Sequence, residues 1–257
     1  MSTRRQGSAD RDDAMVRSGR RAMTRWVGFP VHADPRPLVL LSGPVRVDAG
    51  FATGDAKIAF LQGAVEAADM VAEEAVRPLR TPAVRMGRQP RVPLRVTAAV
   101  RSETEFATDR GPRLRAAWRV VAIDTLGPIW VLSREVLSHC WSPPEMPGEG
   151  PAGPHMLSTG RVGPDRCQLV VGFVGGSDDL YRYDAEVVES ATAVCVVSLG
   201  RLTGEFPAGT MIPAIGHPRQ IVVTLAEPLG GRVLVNLDGS PVSVTTDTRP
   251  TTTAPTS

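Results

Sequence analysis

From Leu180 to Val244 short runs of strand-forming residues alternate with turn residues, and this pattern restricts the fold more than any other feature. Tyr183-Asp184-Ala185-Glu186-Val187 alternates apolar and acidic side chains, the signature of a strand wet on one face. Thr192 to Leu199 is a β-branched run holding Cys195, and Gln220 to Leu225 is apolar at 221, 223 and 225. Pro228-Leu229-Gly230-Gly231 turns the chain into Arg232–Leu237. Asp238-Gly239 favours positive φ, so it predicts a hairpin returning through Pro241–Val244. The motif is one of packing and carries no chemistry.

The rest of the chain reads similarly. Leu94, Val96, Ala98 and Val100 alternate with Arg95, Thr97, Ala99 and Arg101. Leu114, Ala116, Trp118 and Val120 repeat the pattern after a turn at 108–112. Ile129–Leu132 follows a second turn at 124–127. Three strands with short turns predict an antiparallel meander, because parallel strands need long crossovers. Cys167–Val174 is a further strand. Asp55 to Val76 predicts the one helix, with Ile58, Leu61, Val65, Ala68, Val71 and Ala75 on one face and Asp55 as N-cap. The rival is two strands, Lys57–Leu61 and Ala64–Ala68, turned near Gly63. The expected fold is mainly β, an antiparallel sandwich or barrel-like sheet with one packed helix, with α+β as the alternative.

Residues 1–25 are polar and basic, and residues 245–257 are rich in Thr and Pro, so both are expected to be disordered. A single β-rich domain is expected over 26–244. The alternative is a split near 142–154, where five prolines and three glycines fall between Ser142 and Pro154.

Two segments carry a resemblance. One is Ala117-Trp118 followed by Leu126-Gly127-Pro128-Ile129-Trp130-Val131-Leu132. The other is Pro228-Leu229-Gly230-Gly231-Arg232-Val233-Leu234 followed by Asp238-Gly239. Together they are similar to segments of uncharacterised actinobacterial β-rich proteins. The resemblance implies a fold and no activity, so no functional residue is transferred by it.

Charge is uneven beneath a formal net +2. Residues 77–119 hold eleven arginines against Glu103, Glu105 and Asp109, and a basic belt attracts anions. Many of those arginines fall on the wet side of the alternating strands, and no nucleic-acid-reading motif or run of stacking aromatics accompanies them, which argues against a nucleic-acid interface. Cys140, Cys167 and Cys195 lack metal-ligand spacing. Their odd number argues against a disulfide framework, with Cys167–Cys195 the one conceivable pair. No stretch reaches the length of a membrane span, and no signal peptide is readable, so a cytoplasmic location is expected.

Arrangements that chemistry requires are scarce. There is no nucleophile elbow, phosphate-binding glycine loop or metal-protease helix, so neither catalytic residues nor a cofactor nor a metal site is expected. Gly175-Gly176-Ser177-Asp178-Asp179 is the most polar loop. With Asp184 nearby and His217 on a later strand, it is the candidate polar site. Trp141, Tyr181 and Tyr183 are the candidate contact surface. The reading that follows is a non-enzymatic binding or interaction module with a protein partner of unknown identity. The alternative is an enzyme whose acid/base groups (Asp178, Asp179, Glu186 or His217) lie on the strand-connecting loops.

Overall fold

A computed structural model describes residues 3–82, 90–144, 156–204 and 215–246. In chain order these form helix α1 (Thr3–Thr24), strand β1 (Val45–Val47), helix α2 (Gly54–Leu61), strand β2 (Val65–Ala67) and helix α3 (Glu73–Val76). A 3-10 turn at Arg77–Arg80 leads to β3 (Leu94–Thr108), β4 (Gly111–Ala122), β5 (Ile129–Leu132) and helix α4 (Arg134–Leu137). Then come β6 (Leu157–Val162), β7 (Gln168–Gly175), β8 (Tyr181–Glu189), β9 (Ala193–Leu202), β10 (His217–Thr224), β11 (Val233–Val235) and β12 (Val244–Thr246). The fold is mainly β, as its alternating sequence requires.

These elements belong to two compact units. The first comprises Met1–Leu41, Thr108–Gly111 and Trp141–Ser257, and the second Ser42–Ala107 and Pro112–Cys140. One domain over 26–244 is therefore replaced by two units. One boundary lies just before Trp141, near the proline-rich stretch. The others fall in segments that read only as turns. Residues 145–155 and 247–257 lie outside the described residues.

In the first unit two sheets face each other. One has the order β10-β7-β6-β12 and the other β11-β9-β8. Leu169, Val171 and Phe173 of β7 meet Val194, Val196 and Leu234 across the core between them. The neighbours are antiparallel except for β11 beside β9 and β12 beside β6, which are parallel. The Asp238-Gly239 turn forms, with Gly239 at φ +80 and its N–H donating to the Asn236 carbonyl. The expected hairpin is nonetheless reduced to one bridge between Val235 and Pro241, because β12 leaves to pair with β6. Thr245 and Thr246, read as tail, belong to that last strand.

The disorder expected for residues 1–25 is corrected by α1. Met15, Met23 and Trp26 recur at helical spacing and pack on the second face of β9, against Cys195, Val197 and Leu199. Gly19 lets the helix come close: a Cβ there would lie 3.1 Å from Cys195 Sγ. The apolar stripe is narrow and the other faces are charged, so composition hides it. Trp26 is fully buried, and its Nε1 donates to the Gly239 carbonyl (3.0 Å).

Arginines anchor the loop after β10. Arg36 Nε donates to the Gly231 carbonyl, and Arg110 Nη2 to those of Gly230 and Arg232. Arg232 Nη2 reaches the Glu227 and Pro228 carbonyls. A loop short of its own backbone bonds is satisfied in this way. Asp109, 1 % exposed, accepts from Arg36 at 2.6 Å. Gly231 packs so closely that a Cβ would lie 2.2 Å from the Val31 carbonyl oxygen.

The second unit is a five-stranded sheet, β1-β5-β4-β3-β2, antiparallel except where β2 runs beside β3. Leu94, Val96, Val120, Ile129 and Val131 form its core with Ala59, Val76 and Leu79. The alternation in β3 changes phase: Ala99 packs on the core and Val100 is exposed. In β4 Leu114 and Ala116 are exposed, and Val120 and Ala122 are buried. The helix expected over Asp55–Val76 breaks after Leu61, and its N-cap is Thr53, whose hydroxyl accepts from Ala56 N. Gly63 adopts φ +69, and a Cβ there would sit 2.4 Å from the Arg80 carbonyl oxygen, so the chain turns and Val65–Ala67 pairs with Leu94–Val96. Each rival reading thus held on one side of Gly63.

Gly231→Ala is expected to lower stability by about 2 kcal/mol or more, the cost of forcing atoms into a packed backbone contact. Gly28→Ala, with open space around it, should stay within about 0.5 kcal/mol. Urea unfolding distinguishes the two, and equal midpoints would remove the claim. A pH effect also follows. Burial pushes the Glu189 carboxyl up, but the Ala226 N–H and Arg232 outweigh it, and the group titrates below its ordinary 4.5. Its stabilisation is complete above 4.5 and is lost as pH falls through the depressed folded value. Glu189→Gln should flatten stability against pH in that acid window alone.

Candidate functional site

The second unit holds a groove of about 640 Å³. Phe60, Leu79, Leu132 and Leu137 supply its apolar surface, and Glu74, Arg77 and Arg134 its charge. Local sequence explains how these converge. Pro78 opens the 3-10 turn that carries Arg77 and Leu79, since a proline ring suits a helical start. Ser133 caps α4, its hydroxyl accepting from Val136 N, and so sets Arg134 and Leu137 at the end of β5.

Glu74 ties the two sides together. Its Oε1 accepts from the backbone N of Arg134 (3.1 Å) and its Oε2 from Arg101 Nη2 (3.3 Å). Arg101 also reaches Glu135 and lies 4.9 Å over the Trp118 ring. Arg80 makes a two-pronged pair with Glu73, 2.7 and 2.9 Å. Arg77 and Arg134 remain. Among the described residues neither guanidinium has an acceptor, and both are exposed at the groove. A single free surface arginine is ordinary. Two at one apolar groove, with their neighbours' carboxylates engaged elsewhere, leave an electropositive edge above a hydrophobic floor.

Catalytic groups are sparse around α4. The Glu135 carboxyl, held by its own backbone N–H, by Ser133 and by Arg101, lies below its ordinary range and stays ionised. His139 Nδ1 is 2.8 Å from the Glu135 carbonyl oxygen and 3.2 Å from Ser138 Oγ. A carbonyl only accepts, so Nδ1 carries the proton and cannot take one from Ser138. Burial raises the Cys140 thiol, whose Sγ donates to the Val136 carbonyl, and this disfavours the thiolate. Among the described residues no three ligating side chains converge on a metal position.

The candidate polar site of the sequence lies in the first unit, and its members are mostly engaged. Asp178 pairs with Arg219 at 2.5 Å, and Asp184 lies 3.8 Å from Arg201. Asp179 is exposed, and its carbonyl accepts from Thr203. His217 stands opposite Gly175 across β10 and β7, which brings it near the loop without forming a described pocket there. Tyr181 and Tyr183 stack on one another, and the Gly176 N–H donates to the Tyr183 hydroxyl. Gly175 and Gly176 are small because these rings lie on them. Trp141 packs on Trp26 and Phe29 with ring centroids 4.9 and 5.1 Å away. All three rings make these contacts within the chain and remain half-buried. Trp118 and Trp130 are half-buried, and Trp130 Nε1 donates to Asp48. The groove residues Glu74, Arg77 and Arg134 escaped sequence reasoning, because only non-local pairing shows which arginines stay free.

No family model, no curated protein and no solved structure matches this chain. Among the described residues no helix is long and apolar enough to cross a membrane.

All three cysteines are free. Burial pushes Cys195 up to about 12, so at pH 8 about one thiol in ten thousand is ionised. Native protein treated with a thiol reagent at that pH should label Cys140 and Cys167 and spare Cys195 until denaturant is added. Rapid native labelling of Cys195, located by peptide mass mapping, would contradict its burial beneath α1.

Proposed function

We propose that the chain is a non-enzymatic binding module whose ligand, an elongated apolar molecule ending in a carboxylate, sits in the groove of the second unit. The observation that carries this reading is the pairing of an apolar floor with two guanidiniums that have no acceptor among the described residues. The volume lies in the range of sites for drug-sized ligands, which are mostly apolar with a few placed polar groups. Apolar area drives such a ligand in, and the arginine edge orients its charged end, since a charge-assisted hydrogen bond outweighs a neutral one. A role as a binder needs no general base, in keeping with a His139 whose Nδ1 is committed and a Cys140 held as thiol.

The alternative, an acid/base enzyme built on Asp178, Asp179, Glu186 or His217, finds less support. Asp178 is paired with Arg219, and no described cavity gathers these residues.

Isothermal titration with dodecanoate, dodecanol and dodecylammonium tests the reading. Dodecanoate should bind at least about 10-fold more tightly than the alcohol, and the cation should bind most weakly. Replacing both Arg77 and Arg134 by alanine should erase the preference for the carboxylate while leaving dodecanol affinity in place. Equal affinity of all three ligands for the unaltered protein would overturn the assignment.

A further inference from the structure

A second cavity, in the first unit, has a different character. It measures about 190 Å³ and is lined by Arg110, Val162, Arg166, Leu229, Gly230 and Thr246. Its charge is unbalanced. The buried Asp109 is held by Arg36 at 2.6 Å and lies 3.7 Å from Arg110 Nε, and Arg166 adds a further cation beside Arg110 at the cavity. Burial lowers the Arg110 pKa from its ordinary value; Asp109 opposes this, and Arg36 and Arg166 add to it. The excess positive charge is thus felt at the half-buried guanidinium that lines the cavity.

Loop anchoring accounts for Arg110, whose Nη2 serves the Gly230 and Arg232 carbonyls. It does not account for Arg166. Among the described residues the Arg166 guanidinium has no hydrogen-bond or ion-pair partner. The neighbouring Asp165 makes no ion pair with it; its Oδ1 accepts the N–H groups of Cys167 and Gln168. Arg166 also sits at φ +59, a conformation unfavourable for any residue with a Cβ and common where strain serves a site. A turn alone would be better served there by glycine or asparagine.

We propose that this cavity binds a dianionic tetrahedral oxyanion, a phosphate group, clamped between Arg110 and Arg166. The space suits one such group and is smaller than a drug-sized site. Asp109 is shared by Arg36 and Arg110, so the unpaired Arg166 leaves positive charge at the cavity that an anion balances. Two guanidiniums from separate elements line the cavity, and each carries several N–H donors that suit the oxygens of an anion. The inference does not rest on the groove of the second unit.

Equilibrium dialysis of the full chain at fixed ionic strength tests it, with labelled inorganic phosphate and O-phosphoserine as probes. Fixed ionic strength separates a site from diffuse screening. One phosphate group per chain should bind saturably below about 10 mM. Arg166→Gly relieves the positive φ and removes no described hydrogen bond, so it should melt no lower than the unaltered protein while binding at least about 10-fold more weakly. Arg166→Lys should retain part of the affinity. Tighter binding of O-phosphoserine than of inorganic phosphate would assign the site to a phosphoryl group on a larger molecule, and the reverse to the free ion. Absence of saturable binding, or undiminished affinity in a folded Arg166→Gly protein, would overturn the proposal.

Discussion

A strand buried on both faces has no wet side on which to place a polar residue, and β9 is such a strand. From Ala193 to Leu199 every residue is buried. Val194 and Val196 face the sheet containing β7, while Ala193, Cys195, Val197 and Leu199 face α1 and Trp26. Removing apolar surface from water on both sides makes this strand the shared layer of two cores. Ser198 is the exception, buried with a hydroxyl that has no partner among the described residues. The helix exists because β9 offers it an apolar face. Isolated, a segment this rich in charge would bury little.

The same unit solves a second problem by polar means. The loop from Glu227 to Arg232 makes few backbone bonds of its own, and its carbonyls are taken by Arg36, Arg110 and Arg232. Guanidinium groups suit this task because several donors radiate from one plane. The segment Pro228–Leu234 is thereby given a structural explanation: Gly231 admits the Val31 carbonyl, and Arg232 closes the loop on itself. Arg166 joins this assembly through its carbonyl, which accepts from Leu229 N, while its guanidinium has no partner among the described residues.

In the second unit, ion pairing decides which charges remain available. Glu74 engages Arg101 and the start of α4, and Glu73 engages Arg80. What is left over, Arg77 and Arg134, borders the apolar groove. Exposed pairs of this kind add little to stability. Their consequence lies in position, since they hold two short helices around the hydrophobic floor and leave two cations without carboxylates.

Alternation and turn chemistry determined most of the strands in advance. β3, β4, β5, β7, β8, β9 and β10 lie where alternating, β-branched or turn-bounded apolar runs predicted strands, and Asp238-Gly239 turns as its residues require. These signals are local: side-chain period follows from strand geometry, and positive φ from the lack of a Cβ. Partner choice is not local. The parallel pairing of β11 with β9 and of β12 with β6 breaks the expected hairpin, and packing against Arg80 turns the chain at Gly63 in mid-helix pattern. α1 forms on a surface almost 180 residues away. The candidate sites were invisible for the same reason. An arginine in a sequence is only a cation; whether it is paired, pinned to a carbonyl or free to meet a ligand depends on which carboxylates the tertiary fold brings to it.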